Sequence, residues 1–282
     1  MNLNQKTAEI YVPDGYPVEK ALKRTTHLCV SAHQDDIEIM AVQGALECYH
    51  QQDKWFTGVV LCDGRGSPRD GRYKDYTDEE MHLVRRQEQR KAALIGEYAA
   101  VVLLDHPSAM IKDASHQEPV EDLMAIFRTA HPKIIYTHNL ADKHDTHVAA
   151  ALRVIQALRS LAPDEQPARL LGCEVWRGLD WMDDADKVLL DVSAHENLQS
   201  ALLGVFDSQI AGGKRYDLAA LGRRRANATF FESHAVDSVS GLSYAMDLTP
   251  LIHGDPIDPV NIMHAYIQHF ENDVLGRISR LN

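Results

Sequence analysis

Short apolar runs alternate along this chain with longer stretches whose apolar residues recur every three or four positions. The runs are "THLCVSA" at 26–32, "WFTGVVL" at 55–61, "AAVVLL" at 99–104, "KIIYTH" at 133–138 and "RLLGCEV" at 169–175. Residues 37–52, 79–96, 119–131 and 146–161 carry the helical period between them. Strand followed by helix, repeated, predicts a mostly parallel sheet with helices on both faces, an α/β Rossmann-like three-layer fold. Ligands of such sheets gather outside the carboxyl ends of the strands. Beyond about residue 193 the pattern turns helix-rich and closes on a helix over 259–281. No internal repeat and no low-complexity linker interrupts it. The chain is therefore expected to form a single domain over 1–282, with its core in 25–160 and a C-terminal extension over about 193–282.

Local signals sharpen two places. "TDEE" at 77–80 has the capping-box pattern, Thr77 as N-cap and Glu80 reaching back, and Gly96 is placed to stop that helix. Residues 62–76, "CDGRGSPRDGRYKDY", form the one long irregular stretch inside the predicted core, and a loop of that length in a compact domain is usually functional.

Composition removes whole classes of function. With 282 residues, 45% hydrophobic and 25% charged, the chain can bury a full core. A net charge of -12 and a pI near 5.6 argue against a broad face for nucleic acid or anionic membrane. The basic clusters "RRQEQRK" and "GRRR" read as solvated helix faces. The start of the chain has no apolar signal core or membrane span, so a cytoplasmic protein is expected. Cys29, Cys48, Cys62 and Cys173 show no CxxC spacing, which points to buried thiols.

The chemistry sits at two strand ends. His33 and Asp36 are three apart where the first strand turns into a helix, with Asp35 between them pointing elsewhere. In "YTHNLADKHDTHVAA" the strand ends near Thr137, and His144 and His147, at i and i+3, share a face across the next helix start. One of these two with His33 and Asp36 makes two imidazoles and a carboxylate, a set that suits zinc and leaves a position open for water. A lone strand-end His commonly only hydrogen-bonds, and an Asp before a helix commonly caps it. Two such clusters on one sheet shift the balance toward a metal site.

"AHQDDIE" at 32–38 resembles the AHPDD(x)E signature of the PIG-L or LmbE-like family, zinc-dependent deacetylases of N-acetylglucosaminyl compounds. "DKHDTHVAA" at 142–150 is similar to that family's second motif, and "RRQEQRKAALIG" at 85–96 to its R-x-x-E-x-x-x-A helix. The resemblance covers roughly residues 25–160 and thins afterwards to fragments such as "DSQI" and "FFESH". It implies His33, Asp36 and His147 as zinc ligands and Asp35 as general base. It further implies His144 as the group that stabilises the oxyanion or protonates the leaving amine; should another residue fill that role, His106 and His138 are the candidates. Arg85, beside Glu88, is expected to face the substrate. Gln34 stands where the family has proline, which should loosen the turn. Thr146 stands where the family often has Asp, with Asp145 one position early, which bears on the orientation of His144.

The function this implies is hydrolysis of the N-acetyl group of an N-acetylglucosamine-type sugar or conjugate, releasing acetate. The alternatives are an amidase for a larger amide and a non-catalytic zinc or sugar binder. Neither GxGxxG nor GxSxG follows a predicted strand, which disfavours a dinucleotide site and a serine hydrolase. In the long loop, Asp63 is expected to bind sugar hydroxyls and Arg65 an anionic substituent. The competing expectation is that the loop arginines only pair with Asp70, Asp75 and Asp78. The partners expected are a small amino-sugar substrate and further copies of the chain, with no nucleic acid and no membrane insertion.

Overall fold

A computed structural model of the chain describes every residue except Pro256. Eight strands form one sheet: β1 Glu9–Tyr11, β2 His27–Ser31, β3 Phe56–Cys62, β4 Ala100–His106, β5 Ile134–His138, β6 Arg169–Cys173, β7 Lys187–Asp191 and β8 Leu242–Asp247, in the order β1-β4-β3-β2-β5-β6-β8-β7. β4, β3, β2, β5 and β6 run parallel. β1 joins β4, and β8 joins both β6 and β7, in the antiparallel sense. The parallel centre is the α/β fold expected. These three strands with antiparallel neighbours were not foreseen; β8 lies in the stretch expected to be helix-rich, and β7 just before it.

The central strands show why their sequences lack alternation. Leu28, Val30, Val59, Leu61, Val102 and Leu104 face one core layer, while Cys29, Val60, Val101 and Leu103 face another. Helices Glu118–Ala130 and Asp145–Arg159 cover the first layer through Leu123, Phe127, Val154 and Leu158. Ile37, Met40 and Ala93 cover the second. Both faces are buried, so the middles of these strands are apolar without alternation and the polar residues fall mostly at their ends.

From β2 the chain steps to β3 and β4, then crosses back to β5 on the other side of β2. The connections therefore part between β2 and β5, the crevice where open α/β sheets bind ligands. Helix Asp78–Ile95 begins with the foreseen capping box: Thr77 Oγ1 accepts from Glu80 N at 3.2 Å, and the Glu80 carboxylate accepts from Thr77 N at 2.8 Å. Gly96 does end it, though with φ −81°. Its need for glycine is steric, because a Cβ there would lie 2.4 Å from the Tyr98 ring.

The helix expected over 37–52 is two helices, Asp36–Met40 and Val42–Cys48, broken at Ala41. The buried guanidinium of Arg224 donates to the Glu38 and Ile39 carbonyls at 2.8 and 3.2 Å. These are carbonyls that a continuing helix would have used itself.

Candidate metal centre

His33 lies two residues past β2, and helix Asp36–Met40 follows at once. The turn between them runs through Asp35, whose φ of 81° is in the left-handed region that Asp tolerates better than most residues. That twist separates the two neighbouring carboxylates. Asp36 points toward the histidines, and Asp35 points to Arg85 on helix Asp78–Ile95, whose Nη2 donates to Asp35 Oδ2 at 2.8 Å.

Three donor atoms converge at the β2/β5 crevice. His33 Nδ1 is 3.2 Å from His147 Nε2, and Asp36 Oδ2 is 3.3 Å from the former and 3.4 Å from the latter. A tetrahedral ion with bonds of about 2.0–2.1 Å holds its ligands about 3.3 Å apart. The triangle thus has the size of one face of such a site, and His33, Asp36 and His147 are the one group among the described residues with this metal-ligand geometry. Behind it, Asp142 Oδ1 stands 3.6 Å from the buried His147 Nδ1, the direction from which a carboxylate orients a ligating imidazole.

The electrostatics agree with this arrangement. Burial alone would raise Asp36, but the imidazoles of His147, His138 and His33 overcome it and hold the carboxyl far below its ordinary range. Burial pulls His147 down while Asp36 and Asp142 raise it above the usual imidazole value. Burial pushes Asp35 up to about 6, against the pull of Arg85. Burial, followed by the positive potential of His147 and His33, lowers His144.

His144 is the N-cap of helix Asp145–Arg159, and its Nδ1 accepts from Thr146 N at 3.3 Å. The Thr146 departure is harmless on this count, because the contact uses the backbone. Its ring packs edge-on to His33 and stacked on His147, at centroid distances of 5.0 and 4.7 Å. Gln34 does not loosen its turn. It is buried and donates through Nε2 to the Cys62 carbonyl at 3.2 Å, tying the turn to the end of β3.

A cavity of about 450 Å³ opens in front of the triangle, with His33, Asp35, Asp63, Arg85 and His144 on its wall. Arg85 is 1% exposed and divided between Asp35, the Gln34 carbonyl and Glu88, so its guanidinium is spent on bracing the Asp35 carboxylate. Glu88 in turn accepts from the backbone N and Oγ of Ser208, both at 2.7 Å.

Arg65 is not on the wall, which corrects the expectation of a free guanidinium there. It pairs with Glu79 and, at 3.3 Å, with Asp63, while Arg69 pairs with Asp78 and Arg72 with Asp207. Of the pairings with Asp70, Asp75 and Asp78 that formed the competing expectation, only Arg69 with Asp78 is found; Arg65 and Arg72 pair with carboxylates that it did not name. Besides the paired Arg85, the cations that line the cavity are Lys112, Lys214 and Arg223, and none of these three has a carboxylate partner among the described residues.

Sequence reasoning missed those three and the aromatic wall of Trp176 and Tyr216, which carry no motif or fixed spacing. It also undervalued His138. That ring stacks on His147 at 3.9 Å and accepts the Ala32 N–H through Nε2 at 2.8 Å, so it props the His147 ring and is not among the residues on the cavity wall. His106 is far from this role, buried against Asp122 at 2.9 Å.

The sequence model of the PIG-L family, described as GlcNAc-PI de-N-acetylase, matches residues 28–158. No curated protein matches the sequence. Among solved structures, the N,N'-diacetylchitobiose deacetylase from Pyrococcus horikoshii has a TM-score of 0.64 at 15% identity, with 86% of this chain and 91% of that one covered. The 4-carboxy-2-hydroxymuconate hydratase GalB from Pseudomonas putida KT2440 has a TM-score of 0.58 at 18% identity, covering 83% and 99%. A teicoplanin deacetylase in a zinc-inhibited form has 0.52 at 14%, covering 79% and 97%. At these identities the likeness is one of fold.

Proposed function

The chain carries a PIG-L domain in residues 28–158, and from that premise we propose that it is a metal-dependent N-deacetylase of N-acetylglucosamine-type sugars or their conjugates. The observation that carries the reading is the His33, Asp36 and His147 triangle with a separate buried carboxylate, Asp35, beside it. Those three residues would hold the ion, with zinc favoured by the donor set. When bound, zinc supplies Lewis acidity, bringing water toward hydroxide at neutral pH and polarising an amide carbonyl.

The rest is the work of side chains. Asp35, held by Arg85, is ionised at neutral pH and accepts the proton of the attacking water. Because His144 Nδ1 accepts the Thr146 N–H, its neutral imidazole carries the proton on Nε2. That N–H donates to the oxyanion as the carbonyl is attacked, and Asp35 then passes the proton it took from water to the departing nitrogen, which restores its carboxylate. The amide and one water become acetate and a free amine. His144 acts neutral, a change from the imidazolium that the resemblance alone invites.

Lys112, Lys214 and Arg223 favour a substrate with an anionic substituent distant from the acetamide, while Asp63 remains the candidate for sugar hydroxyls. β7 and β8 complete the same sheet, in keeping with 1–282 acting as one unit. Among the described residues no helix is long and apolar enough to cross a membrane.

The same base and cationic rim would also serve addition of water to an unsaturated carboxylate, the class of reaction named for the hydratase of this fold. Acetate release from a panel of neutral and anionic N-acetylhexosamines, run beside absorbance loss from unsaturated dicarboxylates, separates the two. Hydration without acetate release would overturn the deacetylase reading.

A further inference from the structure

The C-terminal helix Pro259–Leu281 has no buried residue. Its first half rests on the body: Ile262, Met263 and Tyr266 pack against the core, and the Tyr266 hydroxyl donates to the Asp247 carbonyl at 3.1 Å. Phe270 meets the Trp181 ring edge-on at 6.2 Å. From there the helix continues as an arm. A second apolar row, Ile267, Phe270, Val274, Ile278 and Leu281, runs along it with exposures from 36 to 84%. A solvated helix face is ordinarily polar, so this row lacks a partner.

The order of its spacings identifies the partner. They are 3, 4, 4 and 3, the same read from either end, with Val274 at the centre. We propose that the row is the contact through which two copies of this chain pair, arms antiparallel about a two-fold axis at Val274. In that register Ile267 faces Leu281 of the second copy, Phe270 faces Ile278 and Val274 meets its own equivalent, an isologous contact. The four steps span 14 residues in four turns, 3.5 per turn, the heptad period that two helices keep in register by a gentle left-handed supercoil.

Charge fits the same partner. Asp273 and Arg277, paired within one arm at 2.9 Å, lie on one flank of the row beside the axis. A two-fold rotation gathers the two Asp273 side chains at the axis and brings each Arg277 near the second copy's Asp273, so the two guanidinium groups neutralise the aspartates between them. An anionic membrane is a poorer occupant, because the net charge is -12 and the arm itself carries Glu271 and Asp273. The five side chains expose roughly 500 Å² per copy, so pairing removes about 1,000 Å² from water, the threshold of a specific interface. The dimer is therefore concentration-dependent.

Sedimentation velocity over a wide concentration range should show a monomer–dimer equilibrium that Ile278→Asp shifts to monomer with an unchanged circular dichroism spectrum. All four native cysteines are buried. Val274→Cys thus places single reactive thiols at the axis and should cross-link under mild oxidation, while Leu275→Cys, over a quarter turn away, should not. A monomer at every concentration, an assembly that Ile278→Asp leaves intact, or cross-linking at 275 in preference to 274 would each overturn the proposal.

Discussion

Replacing Asp35 by Asn separates the chemistry of that carboxylate from its part in the fold. Asn has the same shape and tolerates the positive φ equally well, and its carbonyl can still accept from Arg85. Arg85 also keeps Glu88 and the Gln34 carbonyl, so no buried charge is left unpaired. Burial raises Asp35 from 3.8 to about 6. A folded-state pKa raised for an acid makes folding less favourable as pH climbs from the unfolded value through the folded one, with the full cost above both. The gap is worth about 3 kcal/mol. With chelator present, Asp35→Asn should be more stable than wild type by on the order of 3 kcal/mol at pH 8, and the gain should vanish below pH 3.8. Urea unfolding at the two pH values measures it. With metal restored, kcat should fall about a hundred- to ten-thousandfold, the range for loss of a general base. If the Asn protein is instead less stable than wild type at pH 8, the burial argument for the raised Asp35 pKa fails, and an unchanged kcat with metal bound would refute its role as base.

Other substitutions probe the remaining roles. His33→Ala and His147→Ala should each lose nearly all bound metal by elemental analysis, and full occupancy in either variant would dismantle the ligand triangle. His144→Gln should keep its metal and lose about a hundredfold or more in kcat; an unchanged rate would pass the role to another donor. Arg65→Ala should leave selectivity for anionic over neutral substrates intact, whereas Arg223→Ala should reduce it about tenfold or more in kcat/KM, since a charge-assisted contact is worth about 1.5–3 kcal/mol. The reverse ranking would return the substrate contact to the long loop. Gly96→Ala should destabilise by about 1–3 kcal/mol, because the new Cβ meets the Tyr98 ring; a neutral effect in unfolding would refute the steric account.

What was legible in the sequence was local. The five parallel strands are buried on both faces and announce themselves as apolar runs, and Thr77 with Glu80 marks a helix start by spacing alone. His33, Asp36 and His147 could be named because their strands end in one crevice, a property of connection order. β7 and β8 went unseen: they are five and six residues long, and β7 leaves Leu189 exposed and pairs only with β8. The break at Ala41 has no Gly or Pro behind it; it coincides with an Arg224 contact made 186 residues away. Arg65 was misplaced because a guanidinium on a loop goes to whichever carboxylate is nearest, and Glu79 at the next helix start lies outside the loop itself.

The Arg224 contact also sets a clock. All three ligands of the triangle lie before residue 148, yet the helix that follows His33 is finished at its far end by a side chain near the end of the sequence. At synthesis rates of about 5–20 residues per second, Arg224 leaves the peptidyl transferase centre roughly 10–40 seconds after Asp36. During that interval the nascent chain has its first strands and, later, its full ligand set, while Glu38 and Ile39 still offer unclaimed carbonyls. The residues that would choose the ion are thus made well before the residue that stiffens their support.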